Sequence, residues 1–377
     1  MLALLLHQAG RDVVVLERQT REYVMARIRA GVLEQGTVDM LRTAGVGERM
    51  DREGMPHDDV VIGYYGGEIR IDLAARTGLS MMVYGQTEIT KDLYDALDAA
   101  GVPVIDAAVD VALHDLESDA PYVTYSKDGA SERVDCSFVA GCDGFHGVSR
   151  QSIPDDIRFE YERAYPFGWL GILSETRPHA DLMYAHSPRG FALCSSRRLD
   201  LSRYYVQCPL DDTVDDWPDS RFWDELLARL PIAAAAGIET GPSIEKSIAP
   251  LRSFVSEPLS YGRLFLAGDS GHIVPPTGAK GLNLAFSDVH YLSEALDDAL
   301  AGRSQTGLAG YSATALRRVW KAVRFSWWMT GLLHRFPHQE GDTGEFGHKM
   351  QEAELDYLAH SEAAQAAFAE NYVGLPF

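Results

Sequence analysis

Apolar and polar positions change period repeatedly along the chain. Leu2 to Gln8 is apolar at helical spacing and stops at Gly10. Asp12-Val13-Val14-Val15-Leu16-Glu17 follows, an apolar run with a carboxylate at its C-terminal tip, which predicts a buried strand. Val60 to Ile71 alternates loosely about Gly66-Gly67 and predicts a hairpin, and Ile89 to Ala99 predicts a helix. Phe138 to Gly141 predicts a strand running into a glycine-rich turn. Leu182 to Leu210 predicts consecutive strands of an antiparallel sheet, and Arg221 to Leu230 an amphipathic helix. Leu264 to Ala267 is another short apolar run bounded by glycines, hence a strand. Pro275 to Gly278 then excludes regular structure, and the pattern turns helical after Lys280-Gly281. Long helices are expected from Ala285 onward, with Phe325 to Thr330 in a core or subunit interface.

Composition changes this picture in three places. With 377 residues, the chain has room for two or three units with a sizeable core. A net charge of -21 argues against nucleic acid and anionic membrane as partners, so an anionic ligand would need a local cluster of Arg or Lys. Cys136, Cys142, Cys194 and Cys208 have neither metal-site spacing nor a disulfide framework, so reduced, buried thiols in a cytoplasmic protein are expected. No apolar run reaches membrane-spanning length.

The candidate chemistry gathers in a few stretches. A helix, then a strand ending in Glu17, is the second half of a dinucleotide-binding unit, in which the acidic residue bonds ribose hydroxyls. Gly268-Asp269 puts a carboxylate at a strand tip, ahead of a Gly/Pro-rich loop and a helix N-terminus, where free N–H groups suit a polar or anionic ligand. Ser195 and Arg197, two apart on a predicted strand, share a face; with Tyr205 they make a candidate carboxylate site. Arg18, Arg21, Arg27 and Arg29 crowd one segment of an acidic chain, and guanidinium groups suit phosphates.

The stretch GRLFLAGDSGHIVPPTGAKGLNLA and the turn AGCDGFHG resemble the motifs of FAD-dependent aromatic hydroxylases, and the resemblance extends from Leu2 to Phe377. It implies an α/β fold: a dinucleotide-binding FAD domain with its first strand missing, an antiparallel-sheet substrate domain and a C-terminal helical interface region. The expected boundaries are 1–158, with 57–84 contributing to the substrate sheet, 159–270, whose end returns to the FAD-domain sheet, and 271–377. It implies NADPH- and O2-dependent hydroxylation of 4-hydroxybenzoate to 3,4-dihydroxybenzoate in a cytoplasmic homodimer. Ser195, Arg197, Tyr205, Pro276 and Thr277 would bind substrate, while Tyr184, Tyr372 and His57 would relay its phenolic proton. Glu17, Arg29, Gln86, Asp143, Arg203, Asp269, Gly281, Leu282 and Asn283 would hold FAD. Arg18, Gln19, Tyr23, Arg27, His146 and Arg252 would bind NADPH, and Lys280 would add positive charge. A hydroxylase of a related ring, such as 4-aminobenzoate or 3-hydroxybenzoate, stays open, as does an inactive remnant that binds the aromatic acid without FAD. No strand and no G-x-G-x-x-G precede Leu2. The expectation is therefore that these lie upstream of an internal or truncated start at Met1 and that the chain as written binds FAD poorly. The strands at Val13–Leu16 and Leu264–Ala267 are expected to stand apart.

Overall fold

The computed structural model describes residues 1–27, 31–65, 67–337 and 345–377. Its centre is an eight-stranded sheet. In order across the sheet the strands are His272–Ile273, Ser243–Glu257, Phe159–Ser174, Leu201–Cys208, Ala192–Arg198, Met183–Ala185, Asp59–Tyr64 and Gly67–Asp72. All neighbours are antiparallel except Met183–Ala185, which runs parallel to Asp59–Tyr64. The strands expected within Leu182–Leu210 are antiparallel to one another, and the parallel exception lies where they meet the Asp59–Tyr64 strand. The two strands are joined by a long excursion rather than a hairpin, so no turn forces them to run in opposite directions.

Strand periodicity divides this sheet into two faces. Met183, Cys194, Tyr204, Leu170 and Ile172 pack beneath Phe222, Trp223 and Leu226 of the helix Asp219–Arg229. On the other face Tyr184, Leu193 and Trp169 meet Phe325, Met329 and Leu333 of the long helix Thr306–Leu333, with Phe368 and Tyr372 of the helix Glu362–Val373. Only the Asp59–Asp72 hairpin joins the sheet from the expected 57–84 segment. Met55–His57 and Met81–Val83 pair with each other, and Val32–Leu33 completes their separate three-stranded sheet.

Two short parallel pairs lie outside this sheet. Val15–Leu16 pairs with Val104–Ile105, and Leu264–Leu266 with Val139–Gly141. The two pairs belong to separate sheets, as expected, although the first strand is shorter than the apolar run around it. The predicted helix Leu2–Gln8 forms and buries Leu2 and Leu6 in a core with Leu292 and Leu296 of the helix Gly281–Leu300. Cys194 and Cys208 are buried, but Cys136 is half-buried and Cys142 exposed, so burial of all four thiols does not hold. No helix among the described residues is long and apolar enough to cross a membrane.

Candidate active site

Sheet register assembles the first half of the site. Tyr184 lies opposite Leu193, Leu193 opposite Tyr205, and Tyr205 opposite Gly171. Opposed residues share a face, as do alternate residues along one strand. Tyr184, Ser195, Arg203 and Tyr205 therefore project from the same side of the sheet, and Arg197, at a register shift between Ser196 and Arg198, joins them through its bond to Ser195. Arg197 Nη1 donates to Ser195 Oγ at 2.6 Å and to the Ser196 carbonyl at 3.0 Å, and the Tyr205 phenol also bonds this guanidinium. Among the described residues no carboxylate forms an ion pair with Arg197. Burial in an apolar setting lowers its pKa, partly offset by Tyr205, so an anion arriving there would be favoured.

Arg203 differs. Its Nη1 donates to Glu245 at 2.9 Å, and its guanidinium lies 5.2 Å from the centre of the Tyr205 ring. Burial opposes its charge, but Tyr205 and Glu245 outweigh that and raise its pKa. Gly171 makes room for this arrangement, because a Cβ there would lie 2.6 Å from Tyr205 Cε1. Trp169 supports the same ring at 5.1 Å, and its indole N–H donates to His334 Nε2 at 2.6 Å.

The second half of the site is a pair of phenols. Tyr184 Oη and Tyr372 Oη are 2.8 Å apart, with both residues at most 2% exposed. Burial pushes the Tyr184 pKa up to about 12 and raises that of Tyr372 further, so both are neutral at ordinary pH and each can donate or accept. Tyr184 lies one strand from Ser195 and about 7 Å away along the strand direction, two residues at ~3.4 Å each. A flat ring with an anion at one end and a phenol at the other suits that span. His57 stands at the end of its strand, with Asp59, Asp181 and Asp58 nearby; burial lowers its pKa. Among the described residues no direct hydrogen bond joins it to the tyrosine pair.

The Leu264–Leu266 strand ends in a 3₁₀ turn, Gly268–Ser270, with Gly268 at φ +68°. This turn is anchored from behind. Asp288, fully buried on the helix Gly281–Leu300, accepts from the Gly268 N–H at 2.8 Å and lies 2.6 Å from His272 Nε2. The turn thus presents Asp269 at its outer end. Pro276–Gly278 forms a second 3₁₀ turn, regular where an irregular loop was expected. Pro276 is exposed, and the buried Thr277 hydroxyl is bonded to Thr330 at 3.0 Å. Gly281, Leu282 and Asn283 open the next helix, and the first N–H it ties back belongs to Leu284; among the described residues the three earlier N–H groups have no backbone partner and are left for a ligand. The Asn283 side chain is fully used: its Oδ1 accepts from Glu34 N and Thr37 Oγ1, and its Nδ2 donates to the Val32 and Ala279 carbonyls. Any cofactor contact from Asn283 must come from its backbone. Gln86 opens the helix Gln86–Ala100, and Gly31 passes close to its N–H. A glycine turn, three free N–H groups and a strand-end carboxylate form a donor set that fits the carbonyl edge of a flavin and its ribityl hydroxyls.

The remaining predicted positions are dispersed. The Glu17 carboxylate accepts from Gln19 N at 2.7 Å and caps its own strand end. Asp143 accepts from Ser149 N at 2.9 Å inside the glycine-rich turn. Arg18 and Tyr23 are exposed, and Arg27 donates to Tyr23 Oη at 2.9 Å. Arg252 sits over Phe145, whose ring meets His146. Arg29 lies outside the described residues. Arg21 is not a free phosphate ligand, because both its terminal nitrogens bond Asp98. Lys280 is not a free positive charge either: Nζ donates to Glu34 Oε1 at 2.7 Å and to the Tyr372 carbonyl at 2.8 Å. Sequence reasoning missed Glu34, Asp288, Arg318 and His334. The strand-turn-helix motif around Gly268 is the signal that points to Asp288 as a brace, whereas the other three become visible only once distant segments meet.

The fold and these motifs define a flavoprotein monooxygenase. The FAD binding domain family matches residues 1–326, and the chain belongs to that family, as an FAD-dependent aromatic hydroxylase. It is 52% identical over 379 residues to p-hydroxybenzoate hydroxylase of Acinetobacter baylyi, covering 100% of this chain and 93% of that protein. It is 26% identical over 318 residues to rifampicin monooxygenase of Streptomyces venezuelae, covering 82% of this chain and 63% of the relative. The crystal structure of p-nitrophenol 4-monooxygenase from Pseudomonas putida has the same fold, with a TM-score of 0.82 at 18% identity over 100% of this chain and 95% of that one.

Proposed function

We propose that this hydroxylase converts 4-hydroxybenzoate, NADPH, a proton and O2 into 3,4-dihydroxybenzoate, NADP⁺ and water. The observation that carries the reading is the pairing, on one sheet face, of an uncompensated guanidinium at Arg197 with a phenol pair at Tyr184 and Tyr372. Arg197, Ser195 and Tyr205 hold the substrate carboxylate through charge-assisted bonds. Pro276 and Thr277 bound the ring on the helix side. At the opposite end the substrate phenol meets Tyr184. Proton loss there makes the ring electron-rich at the carbon that gains oxygen. The two tyrosines move that proton by exchanging donor and acceptor roles, and His57, kept neutral by burial, passes it to solvent.

FAD, when bound, supplies electron exchange with NADPH and activation of O2. Glu17, Asp143, Asp269, Gln86, Arg203 and the N–H groups of Gly281, Leu282 and Asn283 would hold it, with Arg29 in the same role. Arg18, Gln19, Tyr23, Arg27, His146 and Arg252 would take NADPH, and a homodimer is part of the same reading. The test is product analysis of the FAD-loaded protein with 4-hydroxybenzoate, 4-aminobenzoate and 3-hydroxybenzoate. The expected result is 3,4-dihydroxybenzoate formed in proportion to NADPH consumed, with the other two acids poor substrates. Preferential turnover of 4-aminobenzoate would transfer the reading to that acid. NADPH oxidation with no hydroxylated product from any of the three would end it.

A further inference from the structure

Tyr372 lies at the end of a helix, Glu362–Val373, where carbonyl groups lack helical partners and local order is weakest. Those carbonyls are not left to solvent. Lys280 Nζ donates to the Tyr372 carbonyl at 2.8 Å. Arg318 Nη1, from the long helix Thr306–Leu333, donates to the Leu375 carbonyl and, at 3.0 Å, to that of Pro376. One carboxylate locks both cations, since Glu34 Oε1 accepts from Lys280 and Oε2 from Arg318, each at 2.7 Å. Glu34, Lys280 and Arg318 are at most 8% exposed.

The chain is shaped to enter this clamp. Gly374 turns at φ +99°, and a Cβ there would overlap the Glu34 carboxylate. The Phe377 ring lies 4.7 Å from the Arg318 guanidinium and packs over Gly36, where a Cβ would come within 2.7 Å of it. A buried carboxylate shared between two cations is costly to desolvate, and its geometry leaves little freedom once formed. The segment it grips begins at the residue whose phenol meets Tyr184.

We propose that Arg318 is a positioning residue for the proton relay: by clamping residues 375 and 376 to Glu34, it fixes the Tyr372 phenol against Tyr184. This rests on the functional reading above. Arg318 touches neither phenol, so its influence passes through the backbone of residues 372–376. Loss of the clamp lets the helix end fray and lowers the fraction of time the two phenols are bonded.

The test uses FAD-loaded wild type, Arg318→Gln, Arg318→Lys, Tyr372→Phe and the Arg318→Gln/Tyr372→Phe double variant. Ionisation of bound 4-hydroxybenzoate is followed by its ultraviolet absorbance across pH, alongside product formed per NADPH. Arg318→Gln should move ionisation to higher pH and cut product per NADPH several-fold, with little change in substrate affinity. Arg318→Lys should recover much of both. The double variant should match Tyr372→Phe alone, because a residue acting through Tyr372 has nothing left to position. Wild-type behaviour in Arg318→Gln would overturn the proposal. So would independent, multiplying losses in the double variant, which would indicate a direct charge effect or general destabilisation. Amide exchange across residues 371–377 separates this from the functional reading: it should quicken in Arg318→Gln whatever the substrate, and unchanged exchange would overturn the clamp. A wild-type protein that forms no 3,4-dihydroxybenzoate would overturn the functional reading alone.

Discussion

Arg197 and the tyrosine pair divide the work of recognition between charge and proton transfer. Arg197 bonds a hydroxyl, a carbonyl and a phenol, all neutral, so its charge awaits an anion. Arg197→Ala should therefore weaken 4-hydroxybenzoate binding by about 2–5 kcal/mol, the range for losing one member of a desolvated charge pair. Binding of a neutral phenol should hardly change. Titration of both ligands checks this, and equal losses would make Arg197 structural. The tyrosines predict the opposite signature. Tyr184→Phe removes one hydrogen bond worth about 1 kcal/mol, so affinity should stay within about tenfold while product per NADPH falls. Unchanged product yield would remove Tyr184 from the relay. Arg21 shows how far single residues can mislead, since it has the residue type and place of a phosphate ligand but is already bound to Asp98.

The Gly268 turn is the element whose stability can be followed by pH. Burial disfavours charge on His272, but the Asp288 carboxylate 2.6 Å away outweighs burial, and the ring's pKa ends above its usual 6.5. A folded pKa above the unfolded one contributes stability in full below about 6.5, and that stability is lost as pH rises through the folded value. The melting-temperature difference between wild type and His272→Gln should thus be largest below the usual histidine pKa of about 6.5 and shrink as pH rises through the raised folded value. A difference independent of pH would mean that His272 contributes packing alone. This element also shows what the sequence carried. The strand, the turn and the helix start were legible because each has a local signature of apolar run, glycine and proline. Ser195 and Arg197 were legible as one face because a strand's period is two. The parallel Met183–Ala185 pairing was not, because partner choice between distant strands leaves no local mark. Nor was the Glu34–Arg318 contact, which spans 284 positions and looks in the sequence like two ordinary surface charges.

At the scale of the whole molecule, 55 acidic residues face 34 basic ones, and the proposed substrate and coenzyme are both anions. Many of the arginines with the charge to guide an anion are already paired, among them Arg203 with Glu245 and Arg318 with Glu34. Those pairs act as near-neutral units beyond a few ångströms, which leaves the net charge of -21 to set the long-range field. At about 10 mM salt the screening length is near 30 Å, so an approaching 4-hydroxybenzoate feels most of the protein's charge; at about 150 mM it is near 8 Å and only the local surroundings matter. The association rate should therefore rise with salt over that range, while the dissociation rate, governed by contacts at Arg197, should change little. Stopped-flow binding to the FAD-loaded protein at several salt concentrations measures both. A rate that falls with added salt would mean that the cleft mouth focuses a positive potential outward despite the acidic surface, and would make Arg18, Arg27 and Arg252 candidates for that steering.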